Sequence, residues 1–393
     1  MLKTGFSDWP SFTQEEVDAV QSILLSNKVN YWTGEEGRLF EKEFAEFSDA
    51  KYSIALANGT VALDLALIAL GIGHGDEVIV TSRTFLASVS SIINAGAKPI
   101  FADVDLNTQN ISAKSITEVI SSNTKAVLCV HLAGWPCDMD PIMELARKHR
   151  LFVIEDCAQA HGAKYKGRSV GSIGDVGAWS FCQDKIMTTG GEGGMVTTNN
   201  KSLWSIMWSY KDHGKSWNAV YEKEHPPGFR WLHESFGTNW RMTEMQAAIG
   251  RIQLKKMPKW QKKRHKNANA ILLTAQRSSK LWVPKLSCHS CKKCNNDDGC
   301  IHAHYKTYVF VKGGRSLRDS YIKKINDKGV PCFSGTCSEV YLEKAFDNSG
   351  LRPTKRLPNA KKLGDSSIMF LCHPTLKKSE IELTCAAINE VCQ

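Results

Sequence analysis

Asp156 and Lys185 stand at the ends of two neighbouring apolar runs, and together they are the residues of this chain best suited to do chemistry. Residues 151–154 have the length and β-branched content of a buried parallel strand, with Glu155 and Asp156 at its carboxyl end, where open α/β sheets keep their ligands. A second run, 176–181, stops shortly before Lys185, and Gly190, Gly191, Gly193 and Gly194 then let the backbone turn sharply. An amine that condenses with an aldehyde and a carboxylate that keeps a ring nitrogen protonated are the pair required by pyridoxal 5′-phosphate (PLP), whose ring accepts the electrons of a carbanion. Lys185 is the candidate catalytic amine and Asp156 the candidate partner of the pyridine nitrogen. Singly, each has a plainer reading, as a solvated loop lysine and a helix-capping aspartate.

The wider pattern is more specific. Ile154-Glu155-Asp156-Cys157-Ala158-Gln159-Ala160-His161-Gly162, then Gly174-Asp175-Val176-Gly177-Ala178-Trp179-Ser180-Phe181, Lys185 and Gly191-Glu192-Gly193-Gly194 resemble the DegT/DnrJ/StrS family of sugar aminotransferases. The likeness runs from Trp32-Thr33-Gly34 through Asn58-Gly59-Thr60 and Gly237-Thr238-Asn239-Trp240-Arg241 to Ser338-Glu339-Val340-Tyr341. It implies an aspartate-aminotransferase-like α/β fold (PLP fold type I), with a mostly parallel central sheet flanked by helices and a smaller C-terminal α+β domain. It also implies PLP as cofactor, with its phosphate at Gly59, Thr60 and Ser180, its ring stacked on Phe85, its nitrogen on Asp156 and its hydroxyl oxygen on Gln159. In the family the asparagine matching Asn239 reaches the phosphate of the neighbouring subunit, which implies a homodimer with shared active sites. Trp32, His213 and Lys215 resemble the substrate mouth. Arg241 joins them as a candidate for carboxylate or phosphate, which arginine binds bidentately. Without the resemblance, Thr60 reads as a cap, Phe85 and Trp32 as packing and Asn239 as a turn residue. Arg83 has no place in the pattern and stays a candidate anion contact; His161 is given no role.

These residues need elements to hold them. Strands near 53–56, 77–80, 99–102 and 126–130 alternate with helices near 61–70, 115–121 and 141–149, the signature of a parallel sheet covered on both faces. A helix beginning at Cys157 would aim Asp156 and Gln159 at one ligand. Past about residue 260 the alternation fades, so a division into a large PLP-binding domain, 1–255, and a small one, 256–393, is expected, with helices 244–254 and 257–277 on either side.

Composition narrows the partners. An apolar fraction of 42% and a charged fraction of 23% suit an ordinary globular protein, and no run of about 18 apolar residues suggests a membrane span. The first ten residues lack a signal-peptide core, so a cytoplasmic enzyme is expected. The net charge of +10 is dispersed outside residues 255–266, which read as a solvated helix face, so anionic substrates are favoured over nucleic acid. Thirteen cysteines scattered through strands and helices read as reduced thiols. Cys288, Cys291, Cys294 and Cys300, in the loop 288–300 with His302 and His304 beyond, have zinc-like spacing. The reaction needs no metal, so none is assigned and free thiols in a polar loop are preferred. The expected reaction moves the amino group of L-glutamate to a keto sugar, with 8-keto-3-deoxy-manno-octulosonate for lipopolysaccharide favoured and a nucleotide-linked keto-hexose as alternative. A dehydratase of the same family would carry histidine at position 185. A regulatory, nucleic-acid-binding protein on a dead scaffold would be free to lose Asp156, Gln159, Ser180 or Lys185, and all four are present.

Overall fold

The computed structural model describes residues 5–286 and 299–393. Its first half alternates helix and strand: α1 (Gln14–Ser26), α2 (Glu36–Phe47), β1 (Tyr52–Leu56), α3 (Gly59–Ala69), β2 (Glu77–Thr81), α4 (Ala87–Asn94), β3 (Lys98–Ala102), α5 (Ala113–Thr117), β4 (Thr124–Val130), α6 (Met139–His149) and β5 (Phe152–Asp156). A short hairpin, β6 (Lys164–Tyr165) with β7 (Arg168–Ser169), leads to β8 (Val176–Ser180), β9 (Gly194–Thr198) and α7 (Lys201–Tyr210). The seven long strands form one sheet in the order β1-β9-β8-β5-β4-β2-β3. Only β9 runs against the others, pairing antiparallel with both β8 and β1.

Both faces of this sheet are apolar because both are covered. Val78, Val80, Leu128, Val130 and Ile154 pack with α3 and α7 on one face, whereas Ile79, Val127, Cys129 and Val153 pack with α6 on the other. That alternation explains the near-continuous apolar runs of the sequence. It also separates the two acids at the end of β5. Asp156 shares the face of Ile154, and Glu155 shares that of Val153.

Two local expectations are corrected. No helix begins at Cys157: the segment after Asp156 is a series of turns, in which Oδ1 of Asp156 accepts from the Ala158 N–H at 3.1 Å and the Cys157 N–H is held by the Ala178 carbonyl at 2.8 Å. The aspartate stabilises a turn at its own position, a local bond that competes with helix formation. Second, the helices expected at 244–254 and 257–277 are one, α8 (Glu244–Gln276), with Pro258 inside it. Proline removes the N–H that would bond Leu254 and costs about 3 kcal/mol. Burial on both sides offsets this, with Ala247, Leu254 and Met257 in the core beneath the main sheet and Ile271 and Ala275 in the second core. The expected division at 255/256 therefore lies within a continuous helix.

That second core is built on an antiparallel sheet, β10-β11-β13-β12, from β10 (Leu281–Trp282), β11 (Thr307–Val311), β12 (Cys332–Phe333) and β13 (Ser367–Phe370). Helices α9 (Gly314–Asp327), α10 (Pro358–Ser366) and α11 (Lys378–Val391) complete it. No described helix is long and apolar enough to cross a membrane.

Candidate active site

The carboxyl ends of β1, β8 and β5 converge. α3 starts at Gly59, capped by Asn58, whose side-chain oxygen takes the Val61 N–H at 3.0 Å. The amides of Gly59 and Thr60 remain at the exposed helix N-terminus, a ready anion seat. Gly59 lies directly on Ser180: a Cβ there would come within 2.5 Å of the serine Cβ, so any larger residue would push the helix end off the β8 terminus. The Ser180 hydroxyl accepts from the Cys182 N–H at 3.3 Å. Asp156, buried at the end of the neighbouring β5 and paired with Ala178 of β8, accepts a 2.8 Å hydrogen bond from Ser88 on α4, and Ser88 is bridged to Thr84 at 2.7 Å. Gln159 is anchored through Oε1 by the Ala133 N–H at 2.8 Å, which fixes its amide group on the same side. Phe85 precedes α4 with its ring 70% exposed.

Glu155 does a different job from its neighbour. Fully buried on the opposite face, it accepts from the N–H groups of Gly171 (2.9 Å), Ile173 (2.9 Å) and Gly174 (2.7 Å) and meets His131 Nε2 at 3.0 Å. The Nδ1 of His131 accepts from the Cys137 N–H at 3.0 Å, so the proton of a neutral ring sits on Nε2 and is donated to the carboxylate. Burial pushes the Glu155 carboxyl up, but the His131 bond and the backbone donors outweigh it and hold it below the ordinary range. With Cys157, these two residues are the one metal-like trio among the described residues, yet their lone pairs and proton are already committed to the 171–174 turn and the 137 backbone.

Lys185 lies on the loop after β8. The Trp9 indole donates to its carbonyl at 2.8 Å, and its amine sits 3.9 Å from Asp184 and 5.1 Å from the centre of the Tyr305 ring. The Tyr305 hydroxyl donates to Asp184. Burial raises the Asp184 carboxyl, but the Lys185 charge and the tyrosine hydroxyl pull it below its ordinary value. His161, packed between Trp179 and Phe181, is pushed down to about 3 by burial and by the charges of Lys185 and Arg264, so it is neutral beside the amine.

At the mouth, Lys215 Nζ stands 4.1 Å from the centre of the Trp32 ring, which stacks on Tyr221. Lys215 (3.3 Å) and Arg241 (2.6 Å) share the buried Oδ1 of Asp212. Both cations are therefore already paired, and the expected anion contact at Arg241 would have to share its guanidinium with that carboxylate. His213 is exposed on a left-handed turn, φ 60°. Asn239 is exposed, bridged through its backbone to Asp212. The loop before it exposes Phe229, Trp231 and Phe236, at 79%, 83% and 99%. Cys288, Cys291 and Cys294 lie outside the described residues, while Cys300 is buried in the apolar cluster behind β4.

The model of the DegT/DnrJ/EryC1/StrS aminotransferase family matches residues 10–389. The chain belongs to this family. Among its relatives, the GDP-perosamine synthase of Escherichia coli O157:H7 is 35% identical over 395 residues, covering 97% of this chain and 96% of that protein. An aminotransferase from Psychrobacter cryohalolentis superposes with a TM-score of 0.94 at 64% identity, over 98% of both chains. S. venezuelae DesV superposes with 0.84 at 29% identity, over 96% of this chain and 94% of that one. The protein is thus a PLP-dependent sugar aminotransferase.

The residues present fit the cofactor. The Gly59–Ser180 cradle is closed to any Cβ, the helix amides beside it suit a phosphate, and the only acid at the carboxyl end of β5 on that face is Asp156. The sequence reading missed the residues that hold this set in place. Ser88, Ala133 and His131 act through a hydroxyl, a backbone N–H and a ring, none of which forms a local motif. A buried polar position on α4 was the one available signal, and it is interpretable only once the fold is known.

Proposed function

We propose that the chain transfers the amino group of L-glutamate to the keto group of a nucleotide-linked hexose, with Lys185 as the catalytic amine. The observation that carries this reading is the convergence of Gly59, Ser180, Asp156, Gln159 and Lys185 on one end of the sheet. PLP, when bound, supplies the electron sink that allows a C–H bond next to nitrogen to be broken. Ser180 and the α3 amides would bind its phosphate, Asp156 would hold a proton on its ring nitrogen, and Gln159 would orient its hydroxyl. Phe85 would cover one ring face. The freed Lys185 amine would move a proton between the two carbons, as base and then acid, with Asp184 and neutral His161 beside it.

Two features support a homodimer in which Asn239 serves the partner's site: its side chain is exposed, and so are three large aromatics on the loop before it. The nucleotide-sugar substrate is favoured by relatives named for such sugars, GDP-perosamine synthase and the dTDP-3-amino-3,6-dideoxy-alpha-D-galactopyranose transaminase of Aneurinibacillus thermoaerophilus, the latter 42% identical over 244 residues. A second reading, the acidic 8-keto-3-deoxy-manno-octulosonate, is favoured by the buried Arg83, whose two terminal nitrogens have no hydrogen-bond partner among the described residues. The test is a two-step assay: convert the cofactor with glutamate, remove the donor, then offer each keto sugar and follow return of the yellow absorbance. Return with nucleotide-linked hexoses alone supports the first reading. Return with the octulosonate alone replaces it with the second, and return with neither class refutes both.

A further inference from the structure

We infer that Trp9 is a positioning residue for Lys185: its indole N–H holds the lysine's own carbonyl and so fixes where the amine on that loop stands; this rests on the reading of Lys185 given above. The hydrogen bond is 2.8 Å long and joins residues 176 apart in the chain. Among the described residues no backbone N–H reaches that carbonyl, and the turn it ends is closed by one bond, from the Lys185 N–H to the Cys182 carbonyl at 3.0 Å. The side chain of Asp184, one residue earlier, is held separately by the Tyr305 hydroxyl. A lysine amine hangs on a long flexible stem, so an anchored backbone is what keeps it within reach of one point. Small misplacements of a reacting group cost large factors in rate.

The segment that carries Trp9 is itself tied down on both sides of the ring. The Ser7 N–H and hydroxyl donate to Glu380 on α11, at 2.6 and 3.0 Å, and the Asp8 carbonyl accepts from the Thr375 hydroxyl at 2.7 Å. The indole meets Trp260 of α8 edge-on, with ring centres 5.0 Å apart, and stacks on His373 at 6.0 Å. Having given its proton to Asp8, the Thr375 hydroxyl accepts from Nδ1 of His373 at 2.8 Å. Burial and the charges of Arg264, Lys306 and Lys263 push that imidazole down to about 3, so it stacks as a neutral ring. Arg264, fully buried on α8, places its guanidinium carbon 4.9 Å from the centre of the same indole, and its Nη1 donates to the carbonyls of His304 and Tyr305 at 3.3 and 3.4 Å. Trp9 and Tyr305, which hold the backbone of residue 185 and the side chain of residue 184, therefore rest on one arginine. Phenylalanine would keep every one of these ring contacts. Only the N–H distinguishes tryptophan here, and its partner is the Lys185 carbonyl.

Trp9→Phe separates packing from positioning, since it keeps the ring and deletes the donor. In the PLP-free variant, hydrogen–deuterium exchange is expected to quicken in the peptide covering residues 182–187 and to match the wild type elsewhere, with the unfolding temperature little changed. In the loaded enzyme, the limiting rate of the glutamate half-reaction is expected to fall about threefold to tenfold while the half-saturating glutamate concentration stays the same, the size that one neutral hydrogen bond sets. Trp9→Ala, which removes ring and donor together, should add a lower unfolding temperature to the same loss. A Trp9→Phe enzyme with wild-type exchange at 182–187 and wild-type rate makes Trp9 a packing residue and overturns the inference. Faster exchange spread over the whole chain with a lower unfolding temperature does the same, and so does faster exchange at 182–187 with an unchanged rate, because the amine would then stand correctly without the bond. Should the phenylalanine variant not fold, Thr375→Val frees the Asp8 carbonyl and the His373 ring while leaving the indole in place, and unchanged exchange and rate in that variant are equally fatal. The exchange measurement is made without PLP and does not depend on the chemistry of Lys185. Localised exchange in Trp9→Phe, with the cofactor found fixed to another lysine, would therefore refute the catalytic assignment and leave the tether standing.

Discussion

At the scale of single residues, the two acids that end β5 have opposite assignments despite being adjacent, and each makes a separate expectation. Glu155 is lowered in the fold relative to its unfolded value near 4.5. Its contribution to stability is therefore complete above the ordinary carboxylate range and is lost as the pH falls through the lower folded value. Glu155→Gln should cost about 3–5 kcal/mol at neutral pH, the usual loss on breaking a buried charge from its donors. Urea unfolding at a series of pH values should show this difference shrinking on acidification, and a difference that stays constant with pH would mean the charge is not what matters. Gly59 tests the cradle instead. Gly59→Ala places a methyl against Ser180, so stability should drop by about 1–3 kcal/mol. PLP affinity measured by equilibrium dialysis should fall about tenfold or more.

At the scale of elements, α8 links the site to the second sheet, and its start matters most because Asn239 and Arg241 lie just before it. Thr243 and Gln246 cap each other there, with the Thr243 N–H donating to the glutamine oxygen at 3.0 Å and the Gln246 N–H to the threonine hydroxyl at 3.4 Å. Thr243→Ala should cost about 1 kcal/mol, visible as a lower unfolding temperature. It should also weaken PLP binding more than a cap lost from a helix remote from the site, such as Ser112→Ala before α5. Much at this scale was legible in the sequence. β5 and β8 announced themselves because both sheet faces are buried, so period and composition agree over several residues. β9 and the joined α8 were hidden for opposite reasons. β9 follows a run of glycines that masks its start, and Pro258 sits where burial on two sides overrides a local breaker. The turn after Asp156 escaped because a side-chain-to-backbone bond, not periodicity, decides its course. Among the proposed site residues, those on strand ends and in glycine motifs could be singled out as candidates. Their supports could not be, since Ser88, Ala133 and Tyr305 come from segments distant in the chain.

At the scale of the whole molecule, the aromatic loop before Asn239 is exposed in the single chain and is the proposed seam between two copies. Replacing Trp231 and Phe236 by serine should shift sedimentation toward the monomer and lower PLP retention together. Asn239→Ala should lower PLP retention while leaving the dimer intact. A monomeric wild type with full activity would remove the shared-site arrangement. Within each copy, one amine is proposed to carry the chemistry. The most direct measurement is borohydride reduction of the PLP-loaded protein followed by peptide mapping of the fixed cofactor. The label is expected on Lys185 alone, and nowhere in Lys185→Ala. A label on Lys306, Lys211 or any other lysine, with Lys185 unmodified, would contradict it.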